Sequence, residues 1–211
     1  MHPTSGDTMM DAKRLMDVVF SVLLLVVLAP VMAGLSIWLL CRQGRPIFHI
    51  SDRMCSPQRR FGLIKFRTMK VTSGRDQILG GYAFRDVTPT GRWMRKSRLD
   101  ELPQLWNILN GDLSFVGPRP VLPEYVEAFP DLYNEVLSVK PGVTGLATLA
   151  YKERESVLLA SCTSADVTHD MYVRRCIPQK ARLDRHYIRT RTLLRDVLLV
   201  FQTIGELVRR N

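Results

Sequence analysis

From Val18 to Leu40 the chain carries no charged side chain for twenty-three residues. As a helix this run would be about 35 Å long, enough to cross a bilayer core. Pro30 falls in its middle, where it removes a backbone hydrogen bond, and Gly34 and Ser36 loosen the next turn, so the pattern predicts a membrane helix bent at Pro30. Lys13 and Arg14 precede the run and Arg42, Arg45 and Arg53 follow it. With basic residues on both flanks, the positive-inside rule names no external side, and a re-entrant hairpin and a kinked span both satisfy the pattern. A cleaved leader is a weaker reading. Val31-Met32-Ala33 would suit a cut, but Asp11 and Asp17 acidify the region before the run, which also stays apolar beyond Ala33 through Leu40.

Beyond the run the periodicity shortens. Apolar residues alternate from Phe61 to Phe66, interleaved and flanked by Arg59, Arg60, Lys65, Arg67 and Lys70, which predicts a basic strand region between Pro46 and Lys70. Residues 71–92, with Gly74, Gly80, Gly81, Pro89 and Gly91, predict a loop. Leu99, Leu102, Leu105, Trp106 and Leu109 fall at helical spacing, and Pro103 requires that this helix start close to it, so Asp100 and Glu101 sit at a helix start. Asn110-Gly111 ends the helix, and Val116-Gly117-Pro118-Arg119-Pro120 forms a rigid turn that aims Arg119. Glu124 to Val139 reads as one amphipathic helix, followed by a turn over Lys140 to Gly145. Residues 150–172 show only a helical signal through Val157, Leu158 and Leu159. The last helix lays Leu194, Val197, Leu198, Phe201, Ile204 and Val208 along a face suited to the core, the headgroup layer or a second subunit. The fold class is α/β (α+β): an N-terminal membrane segment, residues 1–41, and a catalytic domain, residues 42–211, with amphipathic helices at its end.

Composition narrows the partners. Over 211 residues, 30 Lys and Arg against 20 Asp and Glu leave a formal charge of +10, which suits phosphorylated substrates, acidic headgroups or nucleic acid. Eight basic residues and the single acid Asp184 lie between Arg174 and Arg195. The four cysteines form no C-x-x-C pair and the four histidines show no ligand-like spacing, so free thiols are expected and zinc is not. A membrane-tethered nucleic-acid binder would share the charge, but its binding would be indifferent to the acids discussed next.

Those acids are Asp100 and Glu101, grouped in sequence with Lys65, Arg67, Arg95 and Arg119. Such a set suits phosphoryl transfer: one carboxylate attacks phosphorus, the other holds Mg²⁺, and the cations neutralise phosphate oxygens. On spacing alone, two acids favoured by the helix dipole would serve as well. No Walker loop, nucleophile elbow or dinucleotide fingerprint competes.

At these residues the sequence resembles the bacterial sugar transferases, monotopic phosphoglycosyl transferases acting on polyprenol phosphate. The resemblance runs from about Lys13 to Thr203. It rests on Lys65-Phe66-Arg67-Thr68-Met69, on Ser97-Arg98-Leu99-Asp100-Glu101-Leu102-Pro103-Gln104-Leu105-Trp106-Asn107, on Gly111 to Pro120, and on Lys140-Pro141-Gly142-Val143-Thr144-Gly145. It implies a ping-pong reaction. Asp100 attacks the sugar-linked phosphate of a UDP-sugar and releases UMP, and undecaprenyl or another polyprenol phosphate displaces the phosphosugar, an early membrane step of glycoconjugate or exopolysaccharide assembly. It further implies Glu101 as the Mg²⁺ ligand, Lys65, Arg95 and Arg119 as phosphate binders and, more loosely, roles for Arg67 and Asp184. Finally, it implies a re-entrant helix broken at a Ser-Pro step and a catalytic domain on the cytoplasmic face of the bacterial inner membrane, among lipid and without nucleic acid. Here the step is Ala29-Pro30, which lacks the hydroxyl that bonds a freed carbonyl. Leu146-Ala147-Thr148 departs where relatives carry Gln after Ala, a change that bears on substrate choice. A non-catalytic scaffold of the same fold is the alternative.

Overall fold

The computed structural model describes residues 5–70 and 87–210. Helix α1 (Ser5–Gln43) is 39 residues, about 58 Å, and contains Pro30 without interruption. The predicted break at Pro30 is therefore not seen. The helix is held against the rest of the chain at three levels instead of standing apart. Near its start, Arg14 donates to the carbonyls of Ile108 and Leu109 at 2.6 and 2.7 Å, Lys13 pairs with Asp196, and Asp17 accepts from the Phe115 amide. Leu24 and Leu25 pack on Phe61, Leu63, Leu105 and Ile108. Beyond Pro30, Met32, Leu35 and Leu39 close over Phe66 and Met94. Contacts thus lie on both sides of the proline, where one backbone hydrogen bond is missing. The opposite face, with Val19, Leu23, Val26, Val27 and Ile37, is exposed.

Strands β1 (Phe48–Ser56) and β2 (Arg59–Phe66) form an antiparallel hairpin, with a bulge between Met54 and Ser56. The alternating pattern predicts β2 correctly, and Phe61, Leu63 and Phe66 are its buried positions. Part of the predicted loop 71–92 is helical: α2 (Pro89–Ser97) starts where the Thr88 hydroxyl accepts the Gly91 amide and Pro89 fills the first helical position. Residues 71–86 of that expectation lie outside the described residues. Leu99–Glu101 is one turn of 3₁₀ helix, and α3 (Gln104–Asn110) begins only after Pro103, so the two predicted acids precede the α-helix.

Strand β3 (Ser114–Val116) pairs in parallel with β4 (Gly142–Thr144), which lies inside the segment that reads as a turn in sequence. The predicted helix 124–139 is two, α4 (Pro123–Ala128) and α5 (Pro130–Val136). Pro130 cannot donate to a continuing ladder, and Phe129 before it leaves the helical region (φ −134°, ψ 61°). The weakly signalled region is helical, with α6 (Leu146–Ala160) and α7 (Ala165–Met171) leading through a wide turn at Tyr172–Cys176 into α8 (Ile177–Thr190) and α9 (Leu193–Arg210). Of the three settings open to the apolar face of α9, packing on the core is not what is found. Leu199 and Asp196 face inward, while Leu194, Leu198, Phe201, Ile204 and Val208 are half to three-quarters exposed.

The β3–β4 pair explains one sequence signal mechanically. A methyl group on Gly117 would lie 2.3 Å from the Lys140 carbonyl oxygen, so only glycine lets the two backbones approach and sets the Pro118-Arg119-Pro120 segment in place. Gly117→Ala is expected to cost about 3 kcal/mol, a fall in melting temperature of roughly 10 °C. Gly34→Ala, which meets nothing within 4 Å, is the control and should change it little. Equal melting temperatures for the two variants would contradict the close approach.

Candidate active site

The turn that carries Asp100 and Glu101 is set by Arg98. This is the one non-glycine residue with positive φ among the described residues (φ 59°), and it closes α2 in the left-handed conformation before the chain turns into the 3₁₀ segment. Its side chain then returns to the same turn, Arg98 Nη1 lying 2.9 Å from Glu101 Oε2. The other Glu101 oxygen faces Lys65 Nζ of β2 at 3.4 Å. The hairpin is registered against this turn by Asn107 of α3, which is almost wholly buried. Its amide oxygen accepts the Ile64 N–H at 3.1 Å and its amide nitrogen donates to the Gly62 carbonyl at 2.8 Å. Lys65 is thereby fixed within reach of the acids.

Arg95 is aimed from α2. A methyl on Gly91 would sit 2.0 Å from the Thr68 carbonyl oxygen, so α2 starts directly against the end of the hairpin, and Arg95 Nε donates to Thr68 Oγ1 at 2.9 Å. From there its charge reaches both Asp100 and Glu101. Arg119, delivered by the turn after β3, acts on Glu101 and Lys65.

Four cations thus surround two adjacent carboxylates, and the two differ. Burial pushes Glu101 up, but Lys65, Arg98 and Arg119 outweigh it and hold the carboxyl down at about 2. Asp100 is 6% exposed; burial first, and the fixed charge of Glu101 second, push it up to about 6 against the pull of Lys65, Arg95 and Arg98. Its Oδ1 is buried and has no hydrogen-bond partner. Neither acid caps a helix, since no side-chain cap bond forms at the 3₁₀ turn or at α3, whose cap position is Pro103. The helix-cap explanation of the pair does not fit this geometry.

Of the sequence candidates, Lys65, Arg95, Asp100, Glu101 and Arg119 converge. Arg67 does not: its guanidinium bonds the Gln43 and Gly44 carbonyls at 2.6 and 3.1 Å, tying the hairpin to the end of α1. Asp184 is buried on α8, where desolvation pushes it up to about 7 against the pull of Lys180. Lys180, whose charge acts on Asp184, pairs with Glu155 and lies near enough to Arg119 to feel its charge. Sequence reasoning passed over Arg98, although its spacing of three from Glu101 was visible in the motif. It also passed over His49 and Arg53 of β1, which reach the site by strand register, His49 standing opposite Lys65. All four cysteines are free.

A raised carboxyl binds its proton more tightly in the folded chain than in the unfolded one, where it titrates near 3.8. Stability is therefore lost as pH rises from about 4 through 6, by at most about 3 kcal/mol. Asp100→Asn should raise the melting temperature at pH 7, and the gain should disappear near pH 4. A variant less stable than the parent at pH 7 would refute this electrostatic picture.

A family model for bacterial sugar transferases matches residues 8–210. An undecaprenyl-phosphate galactose phosphotransferase of Salmonella typhimurium is 31% identical over 94% of this chain and 41% of its own length. An undecaprenyl-phosphate glucose phosphotransferase of Komagataeibacter xylinus is 34% identical over 100% of this chain and 38% of its own. The chain thus spans about two-fifths of the length of these two relatives. It covers 84% of the exopolysaccharide production protein ExoY of Sinorhizobium fredii, at 29% identity. On a match that takes in the long apolar helix, the acidic turn and the terminal helices together, the chain belongs to the bacterial sugar transferase family.

Proposed function

We propose that this chain transfers a sugar 1-phosphate from a UDP-sugar to a polyprenol phosphate such as undecaprenyl phosphate, through a covalent phosphosugar on Asp100. The observation that carries the reading is the Asp100 carboxyl: buried, with Oδ1 unpartnered, and surrounded by Lys65, Arg95 and Arg98. A buried acceptor atom with no donor, inside a cationic ring, is arranged for an electrophile bearing negative oxygens.

In the first step an Asp100 oxygen bonds to the sugar-linked phosphorus and the bond from that phosphorus to the bridging oxygen breaks, so UMP leaves with the electron pair. In the second, a phosphate oxygen of the polyprenol attacks the same phosphorus and Asp100 is released as carboxylate, giving polyprenol diphosphosugar. Lys65, Arg95 and Arg119 hold the phosphate oxygens. Glu101, ionised at any working pH, keeps Lys65 and Arg98 in place.

The residues also fit Mg²⁺ as a partner of the substrate. Among the described residues no group of three or more His, Cys, Asp or Glu forms a cage, so the protein offers only Glu101 and the orphaned Asp100 oxygen. Mg²⁺ commonly takes one or two carboxylates and completes its shell with phosphate oxygens and water. Glu101, whose oxygens also face Lys65 and Arg98, would hold the ion through a remaining lone pair, and the ion would supply charge neutralisation on the diphosphate.

The acceptor's tail stays in hydrocarbon, so the site must work at the headgroup plane. All three tryptophans, Trp38, Trp93 and Trp106, are 39–56% exposed, on α1, α2 and α3 around the acidic turn, which suits an aromatic belt. The outward apolar faces of α1 and α9 supply the lipid contact. We place both ends of α1 on one side of the membrane, the cytoplasmic face in a bacterial inner membrane, because both flanks dock on the catalytic domain.

UMP release by detergent-solubilised protein with Mg²⁺ and polyprenol phosphate, across a panel of UDP-sugars, tests the reaction. Release with at least one sugar is expected, and Asp100→Asn should lower it by about a thousandfold or more; retained turnover would remove Asp100 from its role. Because Asp100 must be ionised to attack, kcat/KM should fall as pH drops through about 6. A flat profile from pH 5 to 7.5 would contradict the nucleophile. Cysteines placed at positions 11 and 42, in a chain freed of its native ones, should both be labelled from the cytoplasmic side; periplasmic labelling of either would overturn the topology.

A further inference from the structure

Val116 ends β3 and is wholly buried, and its carbonyl receives side chains from two helices outside the sheet. Lys13 of α1 donates to it from Nζ at 3.0 Å, and the Tyr187 hydroxyl of α8 faces it at 3.3 Å. Asp196 of α9 joins the two donors. Its Oδ1 takes the main share of the Tyr187 proton, at 2.8 Å, and its Oδ2 pairs with Lys13. Asp196 and Tyr187 are both buried, and burial followed by the charge of Asp196 pushes the Tyr187 phenol up, so it stays a donor. One residue earlier, the Phe115 amide donates to Asp17 of α1 at 3.2 Å. Three helices far apart in sequence therefore grip a strand of three residues.

A buried ion pair adds little stability over apolar residues of the same volume, but it does select one register. What it registers here is the segment that follows Val116. The Gly117 amide donates to the Thr144 carbonyl at 2.9 Å, and the Pro118 carbonyl accepts the Gly142 amide at 2.8 Å. Pro118 and Pro120 fix φ on either side of Arg119, and the Val121 carbonyl takes the Met54 amide of β1 at 3.0 Å. Residues 117–121 thus form a short strut between Val116 and β1, with Arg119 at its middle. A strut of this kind passes a shift of Val116 on to Arg119 instead of absorbing it.

We infer that Tyr187, Asp196 and Lys13 are positioning residues for Arg119: by holding the Val116 carbonyl they set where the Arg119 guanidinium meets the phosphate oxygens of a nucleotide. The inference rests on Arg119 being a phosphate binder, as in the proposed reaction. A guanidinium engages two phosphate oxygens at once only in one orientation, so a small shift of its backbone costs affinity. The same carbonyl joins the early turns of α1 and α9, the two helices with outward apolar faces, to the phosphate site.

The test is a double-mutant cycle read by calorimetric titration of the full detergent-solubilised chain with UMP, with no sugar donor present. Tyr187→Phe keeps the ring and the Lys13–Asp196 pair. It is expected to weaken UMP binding about fivefold, Arg119→Gln about tenfold or more, and the double variant no further than Arg119→Gln alone, within about twofold. Losses that multiply would overturn the inference, because Tyr187 would then act by a route other than Arg119. So would an unchanged UMP affinity in Tyr187→Phe, whatever its melting temperature, since the hydroxyl would then serve stability alone. Tyr151→Phe is the control: it removes a hydroxyl that bonds the Arg175 carbonyl at 3.3 Å and should bind UMP as the parent does. An equal loss in this control would mark general loosening and count against positioning. If Tyr187→Phe does not fold, Lys13→Arg, which keeps a charge beside Asp196 but changes the reach to Val116, decides alone: an affinity equal to the parent's overturns the inference. Arg119→Gln with the parent's UMP affinity would remove Arg119 from phosphate binding and the inference with it. Coupling of Tyr187 to Arg119 in a protein that turns over none of the UDP-sugars would leave the inference standing while the transfer reaction failed.

Discussion

Two carboxylates on consecutive residues, one buried and the other nearly so, cannot easily carry two charges, and the rest of the site follows from how that conflict is resolved. Glu101 receives Lys65 and Arg98 at its two oxygens and stays ionised. Asp100 receives no hydrogen bond at Oδ1 and absorbs the desolvation cost as a raised pKa. One acid is an anchored counter-ion and the other is the carboxyl proposed as the nucleophile. Arg98, in the left-handed conformation, ends α2 and starts the 3₁₀ turn that carries both acids.

The scaffold can be understood as the means of bringing four cations from three segments, β2, α2 with its cap and the turn after β3, to that turn. Lys65 comes by hairpin register and the Asn107 plug, and Arg95 by the contact of Gly91 with Thr68. Arg98 comes by the end of α2, and Arg119 by the glycine-mediated approach of β3 and β4. α1 binds this assembly from outside, through Arg14 on the end of α3, Asp17 on β3, and Leu35 and Leu39 on Phe66. The same helix turns its other face outward, as α9 does its apolar stripe. The elements that organise the acidic turn are thus also those that present apolar surface, which suits the proposed reaction between a soluble nucleotide sugar and a lipid phosphate.

What the sequence made legible had local causes. The uncharged run, the alternation of β2, the helix start close to Pro103 and the Gly-Pro turn around Arg119 are short-range signals, and the acids and three of their cations lie in continuous motifs. Non-local effects were harder to read. The outward-facing apolar stripe of α9 depends on what the rest of the chain leaves uncovered, and β4 is a strand only because β3 lies beside it. Arg67 looked like Lys65 and Arg95 in sequence, yet one residue past the strand end its side chain turns to the carbonyls closing α1. Pro30 shows the converse: a locally disruptive residue stays within a continuous helix because tertiary contacts hold both sides of it.

The central claim is that Asp100 forms a bond to phosphorus. The most direct measurement is intact-mass and peptide mass spectrometry of the protein after mixing with an active UDP-sugar and Mg²⁺ in the absence of polyprenol phosphate. The account predicts a mass increase of one sugar phosphate, located on the peptide containing Asp100 and discharged when polyprenol phosphate is added. UMP release at full rate only when acceptor is present, with no adduct at any time after mixing, would contradict it and point to direct transfer between the two bound substrates.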